Sequence, residues 1–153
     1  MRWLFDHGAD ANVPKAAGYV PLHVVAANMY PVAVQLLLDH NADVNWRNKE
    51  GLTPLAVTIY HRISSQEEVA VDVVRRLLEH GADPNTRAHN SSTLLHQSLS
   101  HGWLEVARLL HKYGAKVDGK DEKGKTPVEV ASEAGYHAIA KLLSEHVIVP
   151  PLY

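Results

Sequence analysis

Apolar residues recur along this chain with the spacing of α-helices, and the apolar stretches stop at similar short polar sequences. In one stretch the residues on a shared helical face are Val71, Val74, Leu77 and Leu78. It ends at Gly81, a residue type that allows the left-handed backbone of a helix end. Three such endings are "LFDHGADAN" at 4–12, "LLDHNADVN" at 37–45 and "LLEHGADPN" at 77–85. This pattern predicts one helical element that is used several times.

Two sequence markers give the same repeat period. The helix-ending residues Gly8, Asn41, Gly81 and Gly114 are 33, 40 and 33 residues apart. The same intervals separate "VPLH" at 20–23, "TPLA" at 53–56, "TLLH" at 93–96 and "TPVE" at 126–129. A Thr-Pro pair suits the N-cap and first position of a helix. Each unit is therefore predicted to hold two helices, with Leu77 and Leu109 among the side chains buried when units stack.

These residues resemble the ankyrin repeat, whose 33-residue unit carries Thr-Pro-Leu-His at its first helix and Gly-Ala-Asp after its second. The resemblance covers Leu4 to about His146. It implies an all-α ankyrin-repeat solenoid, built from helix-turn-helix repeats with β-hairpin-like fingers. We expect one domain over residues 1–146 and a C-terminal tail over 147–153. The expected units are a half repeat at 1–9 and four full repeats at about 10–42, 43–82, 83–115 and 116–146.

The 40-residue interval contains seven residues more than the other two intervals. They fall around 62–68, between the two helices of one unit. Seven residues are close to two helical turns, and Ser65 followed by Glu68 matches a capping box. We therefore predict one extra turn on each helix of that unit, with Ser64 and Ser65 at the corner.

Composition and charge restrict the class of protein. The 153 residues are 46% apolar and 21% charged, as in one soluble domain. Fifteen Lys and Arg against 17 Asp and Glu give a net charge of −2, so no basic field indicates nucleic acid or a membrane surface. The absence of cysteine removes thiol chemistry and suits a reducing compartment. We predict a monomeric intracellular protein. The cytoplasm is the predicted location, and the nucleus is the alternative.

The eleven histidines raise the question of a metal or catalytic site. His23 and His96 occupy the histidine of the ankyrin motif, which implies a hydrogen bond to the backbone of a neighbouring finger. His7, His40 and His80 stand just before the helix ends, where a capping role is expected. None has the spacing of a metal-binding motif such as His-Glu-x-x-His. We therefore predict no metal, no cofactor and no catalytic residue.

The resemblance also implies where a partner binds, because the variable positions of the family lie at the finger tips and at the ends of the first helices. The partner-binding residues expected on this concave side are Tyr19, Asn28, Arg47, Lys49, Leu52, Tyr60, His61, Arg87, His89, His101, Lys123 and Lys125. Five of them, Tyr19, Leu52, Tyr60, His61 and His101, are expected to form an exposed central cluster. The alternative is that this face is only solvated.

The predicted function is that of a protein-interaction module or adaptor that binds a partner protein on its concave face and fingers. Cations outnumber acids at the finger positions, which favours a partner with an acidic segment. Solvated fingers are an equal alternative. A competing hypothesis is an enzyme whose concave pocket, lined by histidine and tyrosine, performs acid–base chemistry on a small molecule. No nucleophile, base and orienting group stand at a recognisable spacing, so the interaction module is preferred.

Overall fold

The computed structural model describes residues 5–61, 67–87 and 92–145. In these residues the chain forms eight α-helices in four consecutive pairs, with a single 3₁₀ turn at Ala16–Gly18 before them. The helices are α1 Pro21–Ala27, α2 Pro31–Asp39, α3 Pro54–Tyr60, α4 Glu67–Glu79, α5 Leu94–Ser100, α6 Leu104–Lys112, α7 Pro127–Glu133 and α8 His137–Ser144. No helix in the described ranges has the length and apolar character needed to cross a bilayer.

The helix pairs stack in two rows. The first helices contact one another in the order α1, α3, α5 and α7, and the second helices do so in the order α2, α4, α6 and α8. Each first helix also packs on the second helix of its own pair. This arrangement confirms the predicted all-helical solenoid, while the number of repeats and the domain boundaries stay predictions.

The helix starts follow the chemistry that the sequence predicts. The Thr53 hydroxyl accepts a hydrogen bond from the Ala56 N–H at 3.2 Å, and Pro54 occupies the first turn. Thr126 caps α7 in the same way, with a return bond from its own N–H to the Glu129 carboxylate at 2.7 Å. Thr93 keeps its cap although a leucine replaces the proline. The recurrent threonine therefore sets where these helices begin.

The helix ends also match the prediction. Gly81 and Gly114 have φ angles of 87° and 91°, in the left-handed region. Asn41 takes the same conformation with a φ of 61°, as expected where asparagine replaces glycine. The His40 and His80 rings lie over these ends, with Nδ1 at 2.7 Å and 2.8 Å from the carbonyl oxygens of Leu36 and Arg76. Their expected capping role is confirmed.

An asparagine ladder, formed by Asn12, Asn45 and Asn85, fastens neighbouring units together. The Asn45 amide donates to the Gly81 carbonyl at 2.9 Å and accepts the Asp83 N–H at 2.9 Å. Asn12 and Asn85 make the equivalent bonds to Asn41 and Asp43 and to Gly114 and Lys116. The aspartate two residues earlier holds each asparagine in a turn, as Asp43 does for the Asn45 N–H at 2.9 Å. The recurring Ala-Asp-x-Asn sequences therefore form hydrogen bonds that link neighbouring repeats.

The core runs through the stack between the two rows of helices. Leu77 of α4 is fully buried, as predicted. The expectation for Leu109 is wrong, because Leu109 is only partly buried and its neighbour Leu110 takes the core position in α6. The Leu109 and Leu110 side chains point about 100° apart around the axis of α6, and only that of Leu110 is fully buried.

The predicted extra turns are found on one helix rather than two. Helix α3 has 7 residues, as α1 does, so the prediction for it is wrong. Helix α4 has 13 residues against 9 in α2, about one turn more. The longer α4 carries Glu67 to the start of α6, where its carboxylate accepts the Glu105 N–H at 2.7 Å. Trp103, the residue before α6, supplies no side-chain cap, so this glutamate replaces one. The corner at Ser64 and Ser65 lies outside the described residues.

Candidate partner-binding surface

Two fingers have the same internally bonded turn. In the second finger the Asn48 N–H donates to the Leu52 carbonyl at 3.0 Å, and the Asn48 side chain accepts the N–H groups of Glu50 and Leu52, each at 2.9 Å. In the fourth finger Asp121 makes the equivalent bonds, including those from the N–H groups of Lys123 and Lys125. Asparagine and aspartate suit such turns because a short side chain can accept local backbone donors. The turns hold the finger tips in fixed positions.

The first finger lacks this asparagine and is held differently. Its tip is the 3₁₀ turn at Ala16–Gly18, in which Ala17 has a φ of 56°. The Lys49 N–H of the second finger donates to the Ala17 carbonyl at 2.9 Å. The Trp46 ring nitrogen donates to the Gly18 carbonyl at 3.2 Å. The first finger is thus fixed by the second.

The motif histidines join the first helices to the next finger, as predicted. His23 Nδ1 accepts the Val20 N–H at 3.3 Å, so the proton of the neutral ring lies on Nε2, which donates to the Leu52 carbonyl at 2.9 Å. His96 is placed in the same way, with Nε2 2.8 Å from the Lys125 carbonyl. Their structural role is confirmed, and neither ring is available to bind a ligand.

Burial lowers the pKa of His23, although backbone hydrogen bonds near Leu52 and Trp46 oppose the change. Below the ordinary pKa of 6.5 the unfolded chain therefore binds a proton more readily than the folded chain. We expect the free energy of unfolding to fall as the pH is lowered through this range, and to lose less in a His23→Gln variant. Urea unfolding of both proteins between about pH 5 and pH 7.5 measures the difference. Equal pH slopes in the two proteins would contradict this role for His23.

The structure sorts the predicted binding residues into four groups. Those with exposed side chains are Asn28, Arg47, Lys49, Tyr60, His61, Arg87 and Lys123. Those that are half-buried are Tyr19, His101 and Lys125. Leu52 is buried, and His89 lies outside the described residues. The Tyr60 side chain is 38% exposed at the end of α3 and lies edge-on to the His61 ring, with centroids 5.4 Å apart. Of the five residues expected to form the exposed central cluster, only Tyr60 and His61 have exposed side chains.

Leu52 does not belong to the exposed cluster. The residue is only 1% exposed, because it closes the base of the second finger and packs in the core. Its carbonyl receives the His23 bond, which fixes it against the first helix of the preceding unit. Tyr19 is also partly packed, with its ring edge-on to His23 at 5.4 Å. Both residues pack at the base of a finger, against the core.

His101 is expected to be exposed in the central cluster, and this expectation is wrong. The residue is half-buried, with Nε2 3.1 Å from the Ile59 carbonyl of α3. Its ring also lies against Trp103, at a centroid distance of 5.5 Å. His101 therefore joins the end of α5 to the preceding unit.

Lys125 contributes less finger charge than predicted. Its ammonium group forms an ion pair with the Glu133 carboxylate at the end of α7. This pairing raises the pKa of Lys125, and the fourth finger loses one cation to it. The other cations at the predicted positions, Arg47, Lys49, Arg87 and Lys123, have exposed side chains.

No metal-binding group of three or more His, Asp or Glu side chains is present in the described parts of the chain. A groove lined by Glu67, Glu68, Val71 and Glu105 lies between α4 and α6, away from the fingers. In this groove the Glu67 carboxylate already caps α6.

Comparison with known proteins agrees with this architecture. A family model described as ankyrin repeats, in 3 copies, matches residues 1–88 and 61–150. The chain is 40% identical over 72 residues to cyclin-dependent kinase inhibitor 2A of Monodelphis domestica, covering 46% of this chain and 42% of that protein. It is 37% identical over 75 residues to cyclin-dependent kinase 4 inhibitor B of Rattus norvegicus, covering 48% and 58%.

A third relative is of another kind. The chain is 36% identical over 74 residues to the potassium channel SKOR of Arabidopsis thaliana, covering 48% of this chain and 9% of the channel. The chain thus matches about half the length of the two inhibitors and a small part of the channel. The family match extends over most of the sequence, and the structure has stacked helix pairs, threonine helix caps and left-handed helix ends. The chain therefore belongs to the ankyrin-repeat family.

Proposed function

We propose that this chain is a protein-interaction module that binds a partner protein with its finger tips and the exposed ends of its first helices. One observation carries the proposal. The second and fourth fingers are held by backbone and side-chain bonds that leave the Lys49 and Lys123 side chains exposed. Exposed groups on a fixed backbone bind with a smaller loss of conformational entropy than groups on flexible loops.

The relatives support a binding role without fixing the partner. Two are named as inhibitors of cyclin-dependent kinases, and another is a potassium channel. Proteins of such different kinds share a segment of about the same length with this chain, as expected of a module reused in different proteins. A cyclin-dependent kinase is the first defined partner to test.

The charge of the fingers favours an acidic segment on the partner. The exposed side chains of Arg47 and Lys49 on the second finger and of Lys123 on the fourth finger carry like charge. Such a surface accelerates association with an oppositely charged partner, and the effect weakens as salt is added. We place this interaction inside the cell, since a chain without cysteine suits a reducing compartment.

The enzyme hypothesis finds no support in the described residues. It requires histidine and tyrosine side chains that line a pocket, but His101 is bonded to the Ile59 carbonyl and Tyr60 lies exposed at a helix end. His23 and His96 are committed to the fingers. The inhibitor names of the relatives also point to binding proteins.

A matched pair of charge reversals tests the proposal. The finger variant carries Arg47→Glu, Lys49→Glu and Lys123→Glu, and the control carries Arg75→Glu, Lys112→Glu and Lys141→Glu. The control residues are also exposed but lie on the second helices α4, α6 and α8. Both variants change the net charge equally, so a general charge effect cannot separate them.

We expect the finger variant to lose at least about tenfold in affinity at low salt, and the control to bind as the parent does. Capture from a cell lysate identifies the partner, and a titration with that purified partner measures the affinity. A cyclin-dependent kinase is titrated in parallel as the defined probe. Equal losses in both variants, or no loss in the finger variant, would contradict the finger surface.

A further inference from the structure

A groove lies between the packed second helices α2 and α4, and no finger residue lines it. Its lining consists of Val32, Gln35, Leu36 and Asp39 of α2 and Arg76 of α4. The volume of this α2–α4 groove, about 240 Å³, equals that of about eight water molecules at about 30 Å³ each. The groove therefore has room for one long side chain and is too small for a helix, whose diameter is about 10 Å.

A chain of side-chain hydrogen bonds fixes the polar part of the α2–α4 groove. The Asp72 carboxylate accepts the Nε and Nη2 groups of Arg76 at 3.0 Å and 3.3 Å, a bidentate pair that compensates the guanidinium charge. The Nη1 group of Arg76 donates to Gln35 Oε1 at 3.1 Å. Gln35 Nε2 in turn donates to Asp39 Oδ1 at 2.7 Å. The polar side chains of α2 and α4 are thus held in place before a ligand binds.

This network leaves one negative charge uncompensated. Among the described residues, Asp39 accepts only the neutral Gln35 amide, through Oδ1, and the residue is exposed. Arg76 uses three of the five N–H groups of a guanidinium in the bonds to Asp72 and Gln35, so two remain. The α2–α4 groove therefore offers a ligand one carboxylate oxygen and two N–H donors.

The rest of the lining is apolar. Val32 is 79% exposed and Leu36 is half-buried, and the two are four residues apart on one face of α2. The same position in later units is also open to solvent, since the Asp72 and Glu105 side chains there are 39% and 65% exposed. The exposure of Val32 is therefore a property of this helix face throughout the stack. A valine in place of an acid adds apolar surface to the groove that holds the Asp39 carboxylate.

Charge and hydrogen bonding restrict the ligand class. An anion would meet the Asp39 carboxylate, and the Arg76 charge that would attract it is already paired with Asp72. A purely apolar side chain would cover that carboxylate without offering a donor, which costs free energy. A long basic side chain supplies both an apolar stem and a cationic donor.

We propose that the α2–α4 groove binds a lysine or arginine side chain of a partner protein. The aliphatic stem lies along Val32 and Leu36, and the cationic end group donates to Oδ2 of Asp39. The remaining N–H groups of Arg76 donate to a backbone carbonyl of the segment that carries the basic residue. This contact is independent of the fingers, whose charge favours an acidic segment.

The chain provides a matched control for Asp39. Asn41 and Gly81 hold the same place in the repeat, so Glu79 corresponds to Asp39. Glu79 is an exposed carboxylate at the end of α4 that does not line the groove. Asp39→Asn and Glu79→Gln therefore remove the same charge, one inside the groove and one outside it. Each substitution also keeps the size of the side chain.

The probes are three blocked tripeptides, acetyl-Leu-Lys-Leu-amide and its analogues with norleucine or glutamate in place of the lysine. Norleucine has an apolar stem like that of lysine and no ammonium group, so it isolates the effect of the charge. Each peptide is titrated into the isotope-labelled full chain, and the N–H signals of α2 and α4 report binding by NMR. We expect the lysine peptide to bind about threefold tighter than the norleucine peptide, as for an exposed ion pair. The glutamate peptide should bind more weakly than both.

Asp39→Asn should abolish the preference for lysine over norleucine, whereas Glu79→Gln should retain it. Val32→Ala should weaken both of these peptides by similar factors, because it removes part of the surface that the stem contacts. Both groove variants should melt close to the parent, since the substituted side chains are exposed. The proposal is overturned if the parent binds the lysine and norleucine peptides equally, or if Glu79→Gln loses the preference as Asp39→Asn does. Signal changes confined to residues outside α2 and α4 would also overturn it.

Discussion

Truncation of Leu77 to alanine is expected to lower the free energy of unfolding by about 2–5 kcal/mol. The Leu77 side chain is fully buried in α4, and α4 packs on α2, α3 and α6. Its removal leaves a cavity at the centre of the stack, where each unit depends on its neighbours. Denaturant unfolding of the parent and the variant measures this loss.

Two controls make the Leu77 result specific. Arg75→Ala changes an exposed residue of the same helix and should alter the stability by less than about 0.5 kcal/mol. Leu109→Ala removes the same atoms from a partly buried site and should cost clearly less than Leu77→Ala. If Leu109→Ala destabilises the protein as much as Leu77→Ala, the division between core and periphery is wrong.

Replacing Tyr60 and His61 together by alanine is expected to weaken partner binding at least about tenfold, or 1.4 kcal/mol. The two rings form an exposed edge-to-face pair at the end of α3. A large aromatic surface that needs little ordering on binding is typical of an interface centre. Titration with the captured partner measures the affinity, and thermal unfolding measures the stability of the variant.

His101→Ala is the matched comparison, because it also removes a ring at the end of a first helix. His101 bonds the Ile59 carbonyl, so its loss should destabilise the fold by about 1 kcal/mol. The Tyr60 and His61 variant should melt close to the parent. Normal binding by that variant, or a melting temperature far below the parent, would contradict the assignment of these rings to the surface.

The sequence was sufficient to predict the features that depend on local chemistry. Threonine before a helix, glycine or asparagine after it, and histidine in the motif each act through bonds to a nearby backbone or to the next finger. Because these elements recur, their positions could be read from the period alone. The asparagine ladder was missed, although its signal was present in the three quoted words ending in Asn12, Asn45 and Asn85.

The errors concern features that depend on tertiary contacts of the side chains. Leu52 occupies a variable finger position, but its side chain turns into the core beneath the finger. His101 and Lys125 are expected to be exposed but are half-buried, since they bond Ile59 of the preceding unit and Glu133 of the same unit. A repeat alignment gives the position of a residue within its repeat. It does not show which residue of the folded chain a long side chain contacts.

The inserted residues illustrate the same limit. Their number fits two helical turns, and the sequence offered no means of dividing them between the helices. Among the described residues, α4 is about one turn longer than α2 whereas α3 has the length of α1, and Glu67 of α4 caps α6. Such a contact becomes visible only when the neighbouring unit is in place.

Amide hydrogen exchange of this chain with and without its captured partner tests the central claim most directly. We expect protection at the second finger (residues 48–52), at the fourth finger (residues 121–125) and at the end of α3 around Tyr60. The exposed face of α4, including Arg75, should exchange at the same rate in both samples. Protection confined to the second helices, with the fingers unchanged, would contradict the account.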